Sequence, residues 1–192
     1  MSTTDQTHLQ AIRRRSQRSL LLLALLASLV LAVTIIQGSH ARWVRAFYAS
    51  ALGAELLPDD GIELQKGRSD CGPAALEHVL KMSGLSVDVG RVHPPPGGER
   101  WGVSAGTLAA MSRRAGLAAD VRAVDIDAID RVVLPVIAVL GTHFVVIEAH
   151  AGPDAFRVFD PSLGRLKLPR RSLANDWRGV VIAFSSERRS FE

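Results

Sequence analysis

The chain has 192 residues, one cysteine and a formal net charge of +4. A polar head and a very apolar segment before residue 40 leave roughly 140 residues to fold in water, enough for one domain with a real core. A single cysteine excludes an intramolecular disulfide and a cysteine-rich zinc site, and dispersed arginines give no stripe for nucleic acid.

Residues 1–18 are a basic leader, in which Arg13, Arg14, Arg15 and Arg18 stand directly before the apolar run Leu20 to Ile36. No charge occurs between Ser19 and His40. A helix of this length, rising about 1.5 Å per residue, reaches most of a hydrocarbon core of roughly 30 Å. Residues 19–38 are therefore read as a transmembrane signal-anchor. The positive-inside rule keeps the leader in the cytoplasm and sends everything after Gln37 to the other side. Trp43, Phe47 and Tyr48 then fall where an interfacial aromatic belt would lie. A second reading is a cleaved signal peptide, with small residues in Ser39-His40-Ala41 at the inspected positions, although the run is longer than a usual apolar region. Both readings export the domain.

Residues 39–60 are read as a connector ending in the turn Pro58-Asp59-Asp60-Gly61. Ile62 to Gln65 is a short extended approach. From Gly72 the apolar positions Ala75, Leu76, Val79, Leu80 and Met82 keep helical spacing, and Gly84 supplies a stop. The loop His93 to Gly98 is too rich in proline for helix or inner strand. Ser104 or Thr107 can cap a helix from Leu108 to Ala115, with Gly116 after it. Val121 to Val124 and a short acidic helix around Asp125 to Ile129 follow. Leu134 to Leu140, Phe144 to Ala149, Phe156 to Phe159, Leu166 to Leu168 and Gly179 to Phe184 are β-rich, with a helical turn from Arg171 to Trp177. Helices first and an antiparallel sheet after them predict an α+β domain over residues 61–186, with 187–192 as a tail.

Cys71 lies where the first domain helix begins. Helix N-termini expose unpaired N–H groups and the positive end of the macrodipole, which favour thiolate over thiol and can also hold an oxyanion. Gln65, six residues earlier, can add a side-chain donor. A thiolate nucleophile needs a proton acceptor near neutral pH. His78 shares the helix face with Cys71 but is about 10 Å along it, too far for a hydrogen bond. His143 begins an apolar strand whose end can aim the imidazole, and Asp160 ends the strand expected beside it. The resulting triad is Cys71, His143 and Asp160. On spacing alone the cysteine can equally be buried filler, the histidine a satisfied polar residue and Asp160-Pro161 a turn opener. A metal site on Cys71 with His78 or His143 lacks ligand spacing, and no cofactor is implied.

The segment from Gln65 to Leu76, containing Asp70-Cys71-Gly72-Pro73, resembles the active-site box of the bacteriocin-processing, double-glycine peptidases, which are papain-like cysteine peptidases. The likeness continues through Trp101-Gly102-Val103-Ser104, Pro135 to Leu140, His143 to Val146, Val158 to Gly164 and Trp177-Arg178-Gly179. It covers roughly residues 60 to 185. The resemblance implies a papain-like fold with Cys71 as nucleophile, His143 as general base and acid, Asp160 as orienting acid and Gln65 as oxyanion donor. Together with the anchor, it implies an endopeptidase of a bacterial inner membrane that acts in the periplasm or outside on a secreted peptide or protein. A double-glycine site and a separate exporter or fibre system as partner are inherited expectations. Well-known members form the cytoplasmic N-terminus of an exporter, whereas this chain resembles stand-alone members. A second reading is a non-catalytic module that holds a secreted protein's leader and escorts it.

Overall fold

The computed structural model describes residues 17, 20–33, 43–58, 61–67, 69–85 and 102–185. The basic leader apart from residue 17, Ser39 to Ala41, the loop holding His93 and the tail lie outside these residues. The described chain divides into a unit up to Val44 and one from Arg45 onward. In the first unit residues 20–33 are helical and exposed, including Leu21 and Leu25. Among the described residues no helix is long and apolar enough to cross a membrane. Ser19 and residues 34–38 of the expected anchor lie outside them.

The second unit is an α+β domain. A helix that begins in the first unit runs over residues 43–51, and in the domain its Ala49 is buried. Strand β1 (Glu55–Leu56), helix α1 (Cys71–Met82) and helix α2 (Ala105–Arg114) follow. Then come β2 (Ala118–Ala123), a 3₁₀ turn (Ile126–Arg131), β3 (Val136–Leu140) and β4 (His143–His150). The chain closes with β5 (Ala155–Asp160), β6 (Gly164–Pro169), helix α3 (Arg170–Asn175) and β7 (Trp177–Ser185). The strands form one sheet in the order β1-β6-β5-β4-β3-β7-β2, and every neighbouring pair is antiparallel.

Local chemistry accounts for the helix ends. Ser104 caps α2, its Oγ accepting from the Thr107 N–H at 3.1 Å. After α1 the chain leaves through Gly84 at φ +68°, a left-handed conformation that glycine adopts without a Cβ clash. In α1, Ala75, Leu76, Val79 and Leu80 recur at helical spacing, and all are fully buried against the sheet. They meet Ile137, Phe144, Val146 and Phe159 in one core, while Val136, Val145, Ile147, Phe156 and Val158 face a second core on the opposite side. The sheet is thus apolar on both faces, which explains why its central strands read as near-continuous apolar runs. Leu76→Ala removes a fully buried side chain from the first core. It should cost about 2–5 kcal/mol of stability, read as a lower denaturant midpoint at unchanged slope.

Two sheet neighbours differ from simple chain order. β1 joins β6, drawing residues read as connector into the sheet. β2 joins β7 on the far side of β3, so the segment after α2 forms an edge strand away from the central hairpins. Residues 62–65 form no strand; the Gln65 N–H bonds the Pro161 carbonyl at 2.8 Å, just past the end of β5.

Candidate active site

Cys71 is the first residue of α1. Its helix begins after Asp70, whose carboxylate accepts from the Gly67 N–H at 2.8 Å and so shapes the preceding loop instead of capping the helix. Pro73 has no N–H to leave unpaired, which suits the first turn. The Gly72 amide hydrogen-bonds the Cys71 thiol, and the Cys71 amide lies in the same first turn. Gly72 also settles how closely the helix can approach. A Cβ there would meet Val103 Cγ2 at 2.7 Å and Phe144 Cδ2 at 3.4 Å. Without one, the first turn of α1 seats against the opening residues of β4, and the thiol comes within hydrogen-bond reach of the His143 side chain.

β4 and β5 are antiparallel neighbours, Val146 opposite Phe159, so the start of one lies beside the end of the other. His143 and Asp160 meet there, Nε2 to Oδ1 at 3.0 Å. The same Oδ1 accepts from the Ser162 N–H at 2.7 Å, the Ser162 hydroxyl at 2.6 Å and the Leu163 N–H at 3.1 Å. This is the turn chemistry that Asp-Pro-Ser favours, and it holds the carboxylate independently of the imidazole. With Nε2 committed to Asp160, Nδ1 is the ring nitrogen left for the sulfur.

The electrostatics follow from these contacts. Burial pushes the Cys71 thiol up, but hydrogen bonds from His143 and from the Phe144 and Gly72 amides outweigh it and hold the thiol below its ordinary value. Burial likewise disfavours the imidazolium, yet the bonds to Asp160 and Cys71 raise His143 to about 10. Asp160, though buried, is held below the usual carboxylate range, first by His143 and then by Ser162. These shifts all favour a thiolate beside an imidazolium beside a carboxylate. His143 keeps 30% of its side chain exposed, so a substrate can reach the ring.

Of the four expected residues the structure brings Cys71, His143 and Asp160 into one chain of contacts. Gln65 is tied by its backbone to Pro161, next to Asp160, and its side-chain Oε1 is buried without a hydrogen-bond partner among the described residues. His78 does not reach the thiol and bonds Glu148 instead. Ser162 and the Phe144 amide were not singled out from the sequence. The Asp160-Pro161-Ser162 turn signal could have found the first, but the second depends on helix docking and leaves no local trace. A cavity of about 480 Å³ between Ile126 and Arg170 shares no residue with this site.

A half-buried thiol at a helix N-terminus, against a histidine and an aspartate at adjoining strand ends, is the layout of a papain-like cysteine peptidase domain. Residues 60–189 match the Peptidase C39 family, and the chain belongs to that family. Among solved structures, a double glycine motif protease from an AMS/PCAT transporter, in complex with the leader peptide, superposes with a TM-score of 0.60 at 25% identity, covering 64% of this chain and 89% of that one. The peptidase domain of Streptococcus ComA, a bifunctional ABC transporter, gives 0.58 at 18% identity, covering 65% and 97%. The N-terminal peptidase C39-like domain of a toxin secretion ATP-binding protein from Vibrio parahaemolyticus gives 0.55 at 20%, covering 63% and 100%. The last two likenesses bear on the fold alone. A search of curated proteins found no match.

Proposed function

We propose that this protein is a cysteine endopeptidase that cleaves a secreted peptide or protein, after a double-glycine motif, in support of its export or maturation. The observation that carries the reading is the continuous contact from the Cys71 thiol through His143 to Asp160, with the thiol held below its ordinary pKa. Membership of the Peptidase C39 family supports it, and the leader peptide bound to one structural relative supports the substrate class.

In this mechanism the Cys71 thiolate attacks the scissile carbonyl carbon. The oxyanion is held by the Cys71 amide, with the Gln65 side chain as the further donor once its amide turns its N–H₂ toward the cleft. His143 gives its Nδ1 proton to the leaving amine as the C–N bond breaks and the thioester forms. It then takes a proton from water, whose oxygen attacks the thioester and releases the carboxylate product and the thiolate. Asp160 keeps the ring oriented and its charge compensated throughout.

The arginines before residue 20 and the uncharged run after them support a membrane tether with residues 1–18 in the cytoplasm and the peptidase domain on the outer side. The enzyme would then meet substrate as it emerges from a separate exporter or fibre system. Incubating the protein with peptides containing Gly-Gly should release products cut after the second glycine, read by mass spectrometry. Hydrolysis should persist in EDTA, because no step uses a metal. Loss of activity to the chelator, or binding without cleavage, would contradict the proposal.

A further inference from the structure

The three elements that carry the site also carry a second cluster of charge. Cys71 and His78 share α1, His143 and Glu148 share β4, and Asp160 and Arg157 share β5. Glu148 is at the centre, its side chain 1% exposed. Its Oε1 meets His78 Nε2 at 2.6 Å, and its Oε2 accepts from Arg157 Nε at 2.7 Å and Arg165 Nε at 3.1 Å. Arg165 Nε also reaches Oε1 at 3.2 Å. His78 stacks on Phe159, the residue before Asp160, with centroids 4.1 Å apart.

An ion cluster in this position is poor value as a source of stability. Around it α1 meets the sheet through alanine, leucine, valine and phenylalanine, and apolar side chains of similar volume would hold the helix at least as well. Apolar packing is non-directional, however, and specifies the axial register of a helix weakly. Hydrogen bonds from α1, β5 and β6 converging on one carboxylate of β4 specify it tightly, and fixing register is the best-attested use of buried polar groups. The first turn of α1 needs that register, because Cys71 must sit within hydrogen-bond reach of His143.

We propose that Glu148 and His78 are positioning residues: the buried carboxylate indexes α1 against β4 and β5 and thereby sets the approach of the Cys71 sulfur to the His143 ring. The proposal rests on the reading of Cys71 and His143 as nucleophile and base. It differs from a merely structural role in what it moves. A loosened register weakens the contact between Cys71 and His143 while leaving both residues in place.

The test is the pH profile of iodoacetamide alkylation on the full chain, where Cys71 is the one thiol. Glu148→Gln and His78→Gln should each raise the alkylation midpoint by about one pH unit, a tenfold loss of rate below it. In peptide hydrolysis kcat should fall with KM unchanged. Leu173→Ala, which opens the fully buried core on the opposite face, is the control. It should lower the melting temperature without moving the midpoint. If Glu148→Gln does not fold, Arg157→Gln, on a half-exposed side chain, gives the same readout. Variants that lose stability like Leu173→Ala yet keep the wild-type midpoint would overturn the proposal. A wild-type midpoint at the ordinary thiol value would instead overturn the reading of Cys71 as nucleophile.

Discussion

Cys71→Ala should reduce peptide hydrolysis by about 10⁴ to 10⁶-fold, the range expected when a unit of nucleophile and base loses a member. The fold should survive the change, since Cys71 is half-buried and deletion of one sulfur leaves Ala75, Leu76 and Val79 to hold the helix. Comparison of melting curves for the two proteins checks that point. Cys71→Ser should not restore activity, because a hydroxyl beside His143 stays protonated where the thiol ionises. Cleavage by the alanine variant at the wild-type rate would remove Cys71 from the mechanism.

His143→Ala should produce the second large loss, about 10⁴-fold in turnover, together with a change that needs no substrate to detect. Burial alone pushes the Cys71 thiol up, and the hydrogen bond from His143 is the leading contribution holding it down. Without the imidazole the thiol should titrate at or above its ordinary value, and alkylation at pH 6 should fall below that of the wild type. In the wild type the thiolate forms as pH rises through the lowered Cys71 value, so alkylation climbs there and then stays level. Hydrolysis should follow the same acid limb and then decline as His143, raised to about 10, gives up the proton that the leaving amine needs. Equal reactivity of wild type and variant at pH 6 would break the argument.

The site was legible in the sequence to the extent that local rules reach it. Helical spacing after Gly72 puts Cys71 at an N-terminus, and the two runs flanking Ala151 to Asp154 pair as antiparallel neighbours, which brings His143 to Asp160 without any knowledge of the core. The α+β order of helices before sheet was legible for the same reason. The pairings of β1 with β6 and β2 with β7 were not, because they link segments far apart in the chain and are selected by docking rather than by local turn chemistry. Glu148 was hidden inside an apolar run, where a single charge looks like the exposed alternate of a strand. Only the structure shows that two arginines pair with it while His78 hydrogen-bonds its other oxygen. Ile62 to Gln65 has strand composition but forms no strand, since the neighbouring turn at Pro161 offers no ladder.

The bond between His78 and Glu148 spans 70 residues of sequence, and the helix that carries the thiol closes on the sheet across a gap of that size. Contacts so remote in sequence carry a large loop-closure cost, which the domain must meet before the site is assembled. Until then the thiol has neither imidazole nor aligned amides and behaves as an ordinary one, largely protonated at neutral pH. Under the proposed function, the nucleophile is therefore not activated until the domain has closed. The moment at which it becomes reactive to iodoacetamide at pH 6 is a direct clock for the closing of the domain.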